Sequence, residues 1–303
     1  MEFIELTFEH PEQEAVRLDA WLAGRIPLHS RAFLKDLIEQ GHVHVDGKTV
    51  KPSFKPKSGQ TIRVELPDPV DSSVRPEEIP LVVRYEDDFI LVIDKPQGMV
   101  VHPAPGHAGG TLVNALLSYC QGQLSDLNGV IRPGIVHRID KDTSGLLLVV
   151  KDNSVHREIA ERIRRHEIRR TYQALVHGAV SADQGTIKAP IGRDPKNRQR
   201  MAVVPDGKAA VTHFKVIERL ARATWLEVEL ETGRTHQIRV HCQYIGHPII
   251  GDLVYAPGRA AFGQTGQVLH ASRLSFIHPV TNQPIVVESP LPQSFLEAVR
   301  QCR

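Results

Sequence analysis

The chain has 303 residues, 41% of them apolar and 24% charged, an ordinary composition for soluble globular domains and enough length for one large and one small domain. Its 37 lysines and arginines against 35 aspartates and glutamates give a net charge of +2, so a polyanion would have to be met by local basic patches. Three widely spaced cysteines, Cys120, Cys242 and Cys302, argue against a disulfide framework and a paired-cysteine zinc site, and fit a reducing compartment.

The opening residues are acidic where a signal peptide would be basic, and no long apolar span follows. A cytoplasmic protein without membrane association is the expectation. Leu18, Trp21, Leu22 and Ile26 recur at helical spacing until Pro27 breaks the pattern. Ser30 is placed to cap a second helix, with Phe33, Leu34, Leu37 and Ile38 on one face and Gly41 as its stop. Arg31 and Lys35 lie four apart on the polar face of that helix. Residues 42–45 alternate, Asp46-Gly47 signals a hairpin, and residues 60–66 alternate again, with Lys48, Lys51, Lys55 and Lys57 in between. These features predict a helix-helix-hairpin module with one basic side.

Residues 67–76 are rich in proline and serine and mark a boundary. The expected organisation is a small domain at 1–70, a linker at 71–80 and a larger domain at 81–303. In the larger domain, 81–94 reads as two strands around an acidic turn. Lys95-Pro-Gln-Gly98 is a turn, and 109–119 is a helix capped by Thr111. Further strands are predicted at 171–177, 210–218, 225–230 and 284–288, and helices near 154–166, 235–245 and 291–302. Strands dominate without regular alternation with helices. The fold class is therefore α+β, with a mixed, mainly antiparallel sheet.

Three segments concentrate groups capable of chemistry. In Gly134-Ile-Val-His-Arg-Ile-Asp-Lys-Asp-Thr-Ser-Gly145, a polar loop abuts an apolar run that reads as a buried strand, and a rigid strand holds such a loop in register. Asp142, Thr143 and Ser144 suit local turn capping. That leaves Asp140 freer to act as nucleophile or base, although a lone aspartate is more often structural. The second segment, Glu231-Thr-Gly-Arg-Thr-His-Gln-Ile-Arg-Val-His241, predicts a helix capped by Thr235 and stopped by Gly246, with His236, Arg239 and Gln243 sharing a face. A metal site on His236, His241 and His247 is not expected, because the first two are five residues apart rather than four. The third segment carries Arg162, Arg164, Arg165, Arg169 and Arg170 ahead of Tyr172. Lys188, Arg193, Lys196, Arg198 and Arg200 form a further basic loop. Two basic stretches predict a polyanion in a cleft between them.

Arg17-Leu-Asp-x-Trp-Leu, Ser30-Arg31 and Ile38-x-x-Gly41-x-Val43-x-Val45-Asp46-Gly47 resemble the small RNA-binding domain of the ribosomal S-four type. That resemblance implies RNA-backbone contacts from Arg31, Lys35 and Lys48, which position a protein without reading sequence. His137-Arg138-Ile139-Asp140-x-x-Thr143-Ser144-Gly145, Arg170-Thr-Tyr172-x-Ala174, Gly233-Arg-Thr-His-Gln-Ile-Arg239 and Gly246-His-Pro-x-x-Gly251-Asp252 resemble the RluA-type pseudouridine synthases. The resemblance implies a pseudouridine synthase fold with a central cleft, and isomerisation of uridine to pseudouridine by base flipping, with no cofactor, no nucleotide cofactor and no metal. It makes Asp140 the nucleophile, Arg239 its salt-bridge partner and Tyr172 the ring stacked on the target uracil. Arg138 would fill the place the base vacates, His137 and Arg234 would contact RNA, and Leu269 would wall the pocket. The likeness is greatest to the D-type branch, which acts on large-subunit (23S) rRNA at the helix 69 stem-loop. The implied partner is 23S rRNA or the pre-50S subunit, met by a monomer. The alternatives are the same chemistry at other rRNA uridines, as in C-type relatives, or a non-catalytic ribosome-assembly factor in which Asp140 is structural.

Overall fold

In a computed structural model, which describes residues 2–9, 16–26, 31–66, 74–103, 109–127, 132–197 and 200–303, the chain divides into two units, Met1–Ser72 and Ser73–Arg303. The smaller contains β1 (Glu2–Thr7), α1 (Leu18–Arg25), α2 (Arg31–Glu39), β2 (Val43–Val45), β3 (Lys48–Thr49) and β4 (Thr61–Leu66). The alternation in β4 sends Ile62, Val64 and Leu66 inward, where they meet Val43 and Val45 of β2 and the apolar faces of α1 and α2. The four strands form an antiparallel sheet in the order β1-β4-β2-β3. Asp46 and Gly47 both take positive φ, 48° and 76°, as a two-residue hairpin turn demands. Two expectations change. Lys48 lies in β3 rather than in a loop, and β1 adds an edge strand that the sequence pattern did not announce. The predicted break at Pro27 and cap at Ser30 fall outside the described residues, as do residues 71–73 of the linker.

Buried Asp19 joins the two helices. It accepts hydrogen bonds from Arg17 Nε at 2.9 Å and from Arg31 Nη2 at 2.9 Å. The bond from Arg17 and then the one from Arg31 hold the Asp19 carboxyl below its ordinary pKa, against the opposing effect of burial. Arg31 is thus committed to an internal partner. Lys35 pairs with Glu39 across one helical turn at 3.4 Å and borders a groove also lined by Arg17 and Lys51.

The larger unit runs β5 (Val82–Glu86), β6 (Ile90–Lys95), α3 (Leu112–Tyr119), β7 (Ser144–Val150), α4 (Asn153–Arg164), β8 (Arg169–His177), β9 (Gln184–Lys188), β10 (Ile191–Arg193), β11 (Met201–Val203), β12 (Val211–Arg219), β13 (Ala223–Leu230), α5 (Gln237–Tyr244), β14 (Leu269–Ile277), β15 (Pro284–Glu288) and α6 (Gln293–Cys302). This is the expected α+β class. The main sheet has the order β5-β6-β7-β14-β8-β13-β12-β9, with β15 also paired to β14. Every pairing is antiparallel except β7 with β14. Thr111 caps α3 in a reciprocal arrangement with Asn114, which satisfies two backbone donors at the helix start. The basic stretch after Lys188 is not one open loop. Lys188 ends β9 and Arg193 ends β10, which pairs antiparallel with β11. No helix among the described residues is long and apolar enough to cross a membrane.

The parallel contact between β7 and β14 positions the site. It spans only two pairs, His270 with Ser144 and Ala271 with Gly145. On the other side of β14, Ala271 pairs with Tyr172 and Leu269 with Ala174 of β8. Directly opposed residues share a face, so Tyr172 and Leu269 emerge together beside the start of β7. Gly145 makes this approach possible. Its φ is 106°, and a Cβ there would lie 2.3 Å from the carbonyl oxygen of Ala271. Gly145→Ala combines a disfavoured backbone region with a backbone clash and should cost about 3 kcal/mol or more, read as a lower urea midpoint for unfolding of the full chain.

Candidate active site

The loop before β7 is pinned from both ends. Ile135 bridges to Val149, and buried Ile139 packs into the main core. At the other end, Thr143 N–H donates to the Asp140 carbonyl at 3.1 Å, closing a turn. The Thr143 and Ser144 side chains do not cap nearby backbone as the sequence suggested. Thr143 Oγ1 accepts from Gln267 Nε2 at 3.1 Å, and Ser144 Oγ bonds His270 Nδ1 at 2.9 Å, so both hydroxyls tie the loop to β14 and the residue pair before it. Buried Lys95 braces the loop from below. Its ammonium donates to the carbonyls of Pro96, Met99 and Lys141 at 2.8–2.9 Å. Burial pulls the Lys95 pKa down, to about 7, against the charges of Asp142 and Asp140. Three carbonyls match the three protons of an ammonium.

Asp140 therefore stands at a defined place, on the wall of a cavity of 570 Å³. That volume is within the roughly 300–1,000 Å³ usual for small-ligand sites. Arg239, from the buried face of α5, reaches it: Nη1 lies 2.8 Å from Asp140 Oδ2. The other edge of the same guanidinium grips Asp252, with Nε 2.6 Å from Oδ2 and Nη2 2.9 Å from Oδ1. Asp252 also accepts the backbone N–H groups of Val254 and Tyr255. Its side chain is wholly buried, whereas that of Asp140 is 19% exposed. Burial lowers the Arg239 pKa, but the hydrogen bonds and charges of Asp252 and Asp140 outweigh it, and the net shift is upward. The guanidinium is permanently charged, fixed by one carboxylate and presented to the other.

The opposite oxygen of Asp140, Oδ1, faces His236 Nε2 at 3.9 Å. His236 does not sit in the helix. It precedes α5 in the left-handed region at φ 56°, and neither it nor Thr235 supplies a side-chain cap. Gln237 organises the turn instead, accepting from Arg234 N–H and Thr232 Oγ1 and donating to the Val211 carbonyl. His236 Nδ1 bonds the Tyr255 hydroxyl at 2.9 Å, and that hydroxyl accepts from Met201 N–H of β11. Burial is the main cause lowering the His236 pKa, although Asp140 opposes it.

Tyr172 and Leu269 line the cavity, and both are nearly buried. Burial, and to a smaller degree Asp140, raises the Tyr172 pKa against the effect of Arg170, so the phenol keeps its proton at neutral pH. Arg138 is exposed on the cavity wall, and Arg234 lines it while donating from Nε to the Ala209 carbonyl. His137 lines the cavity and also supports the sheet, since its Nε2 accepts the Leu148 N–H of β7 at 3.0 Å. Only a neutral ring can accept, and burial, aided by nearby Arg170, pushes the His137 pKa down to about 3. Of the first basic stretch, Arg164 and Arg170 reach the cavity, and Arg162, Arg164 and Arg165 all pair with glutamates of α4. None of Lys188, Arg193, Lys196 and Arg200 lines it, and Arg198 is outside the described residues. The histidines considered for a metal are dispersed: His241 bonds Thr212 and the Ala189 carbonyl, and His247 bonds the His177 carbonyl.

Comparison with known proteins agrees with this geometry. Residues 89–244 match the family described as RNA pseudouridylate synthase, and residues 16–62 match the S4 domain. The chain belongs to the RNA pseudouridylate synthase family. It is 49% identical over 292 residues to an uncharacterized RNA pseudouridine synthase, YlyB, of Bacillus subtilis, covering 96% of each chain. It is 47% identical to the ribosomal large subunit pseudouridine synthase D of Zymomonas mobilis, covering 91% of this chain and 90% of that one. The fold is shared with human RNA pseudouridylate synthase domain containing 1, at a TM-score of 0.57 and 24% identity, over 71% of this chain and 84% of the human one. The protein is an RNA pseudouridine synthase, an isomerase.

Sequence reasoning assigned no role to Asp252 or Tyr255. Gly251-Asp252 stood within a recognised motif, but its link to Arg239 needs the loop after α5 to fold back. His137 has a consequence in solution. Unfolding frees it to take a proton at its ordinary pKa of 6.5, so the unfolded chain binds more protons than the folded one between pH 6.5 and about 3. Stability falls as pH drops through that window. His137 alone should remove about 2 kcal/mol between pH 6.5 and pH 5. His137→Gln, which keeps an acceptor for Leu148, should flatten the pH dependence of urea unfolding by that amount.

Proposed function

We propose that this synthase isomerises specific uridines of large-subunit rRNA, at the helix 69 stem-loop, with Asp140 as the nucleophile. Uridine and pseudouridine are isomers. The bond from the ribose anomeric carbon to N1 breaks, a bond from the same carbon to C5 forms, and a proton leaves C5 while N1 gains one. A carboxylate that bonds transiently to the nucleotide divides this exchange into easier steps. The observation that carries the reading is the ion pair between Asp140 and Arg239, 2.8 Å long, on the wall of a nucleotide-sized cavity.

The surrounding groups suit that chemistry. A uracil stacked in RNA is out of reach, so the nucleotide must be everted at a cost of a few kcal/mol. Tyr172 offers an aromatic face to the base and Leu269 an apolar wall. Arg138, exposed at the same cavity, suits the gap left in the RNA. Asp252 holds Arg239 so that Nη1 meets the nucleophile, and His236 bounds its second oxygen. Lys35, Lys48 and Lys51 of the smaller unit supply positive charge for RNA backbone, while Arg17 and Arg31 both serve Asp19 first. The rRNA target rests on relatives of 47% and 43% identity that are named ribosomal large subunit pseudouridine synthase D.

Asp140→Asn should lower pseudouridine formation on the order of 10⁴-fold while leaving RNA affinity and the unfolding midpoint near wild type. Turnover close to wild type would overturn the nucleophile, and loss of folding would return Asp140 to a structural role. Asp252→Asn should reduce kcat about 10- to 100-fold with little change in KM, because it loosens the guanidinium rather than the RNA. Mapping pseudouridines in rRNA from cells with and without the protein tests the target: unchanged modification of helix 69 would move the activity to other uridines.

A further inference from the structure

Arg170 is the anomaly among the arginines of the cavity. It lies in β8 two residues before Tyr172, on the same face of the strand, and lines the same cavity. Its residue exposure is 7%. Yet its Nε has no hydrogen-bond partner, and among the described residues no carboxylate pairs with it. The acidic groups nearby are engaged elsewhere: Asp140 with Arg239, and Glu231 with His213 at 2.7 Å. Gly233 lies against the guanidinium so closely that a Cβ there would come within 3.0 Å of Nη1. The site is therefore shaped around the charge without neutralising it. An arginine cannot discard its proton, and buried charges are ordinarily paired. Among the described residues, none supplies the anion that would balance Arg170.

Taking the isomerase reading as given, we infer that Arg170 is a phosphate-binding residue, which grips a phosphodiester flanking the everted uridine. Eversion swings the nucleotide about its backbone, so the phosphates on either side of the target are the anions that follow it into the cleft. The guanidinium fork matches two phosphate oxygens. Such a contact reads no sequence but fixes where the sugar stops, and so sets the distance between the ribose-uracil bond and Asp140. Arg170 positions the substrate and takes no part in the bond exchange.

The test pairs protein variants with neutralised phosphates. The RNA is a stem-loop containing the uridine that the wild-type enzyme modifies, synthesised normally or with a single methylphosphonate on the 5′ or the 3′ side of that uridine. Wild type should lose about 10- to 100-fold in kcat/KM on one of the two neutralised RNAs. Arg170→Met should lose a similar factor on the normal RNA and nothing more on that neutralised one, and Arg170→Lys should recover part of the loss. The same cycle is read from equilibrium RNA affinity, so it does not depend on turnover. Losses that multiply in both arms would overturn the proposal. Because the charge is uncompensated in the free protein, Arg170→Met should raise the unfolding midpoint; a lower midpoint would mark Arg170 as structural and also overturn it. Absence of pseudouridine with wild type on normal RNA would refute the isomerase target instead, while affinity still judges Arg170.

Discussion

A single guanidinium shared between two carboxylates organises the larger unit of this protein. Arg239 is gripped on one edge by Asp252, which is wholly buried and holds two backbone N–H groups as well, and it offers its remaining nitrogen to Asp140. The two carboxylates differ in exposure, not in chemistry. Asp252 can serve only the protein, whereas Asp140 opens onto the cavity. The ion pair joins the loop of Asp140 to a helix and a following loop about a hundred residues later in the chain, so each of these elements must be in place before the Asp140 carboxylate is.

The sheet supplies that placement. Where β7 and β14 meet in parallel for two residue pairs, an otherwise antiparallel sheet opens a cleft at their N-terminal ends. Asp140 precedes β7, Leu269 starts β14, and Tyr172 sits across from Ala271 on β8. Tyr172 and Leu269 take their positions from strands, and Asp140 from a loop pinned to β7 and β14, so the site is held by rigid elements. The close approach at Gly145 and the hydroxyl bonds of Thr143 and Ser144 hold the two strand ends together.

Charge inside this unit is handled in three ways. Arg239 is compensated by carboxylates. Lys95 is compensated by three carbonyl dipoles, and so ties the turn at Pro96–Met99 to the loop that carries Asp140. Arg170 has no compensating carboxylate among the described residues, an arrangement that is costly unless an anion is supplied. Neutral His137 lies beside it and accepts a backbone bond instead of adding a second positive charge.

Much of this was legible in the residues. The alternation of β4, the turn at Asp46-Gly47, the Thr111 cap and the apolar run after Gly145 are local signals, because they depend on periodicity and on φ preferences within a few residues. Local motifs also marked Asp140, Tyr172 and Arg239 as worth attention. What local pattern could not convey was partnership. Thr143 and Ser144 looked like caps for their own turn, yet their partners come from residues 267 and 270. Arg31 looked like a free cation but serves Asp19, and Asp252 and Tyr255 carried no sign of their links to Arg239 and His236. The sequence by itself determined the fold class and the chemical groups at hand. Beyond the Asp140–Arg239 pair, which the resemblance implied, the tertiary structure decided which charges neutralise one another, since an ion pair is set by distance in space, which the chain sequence does not encode locally.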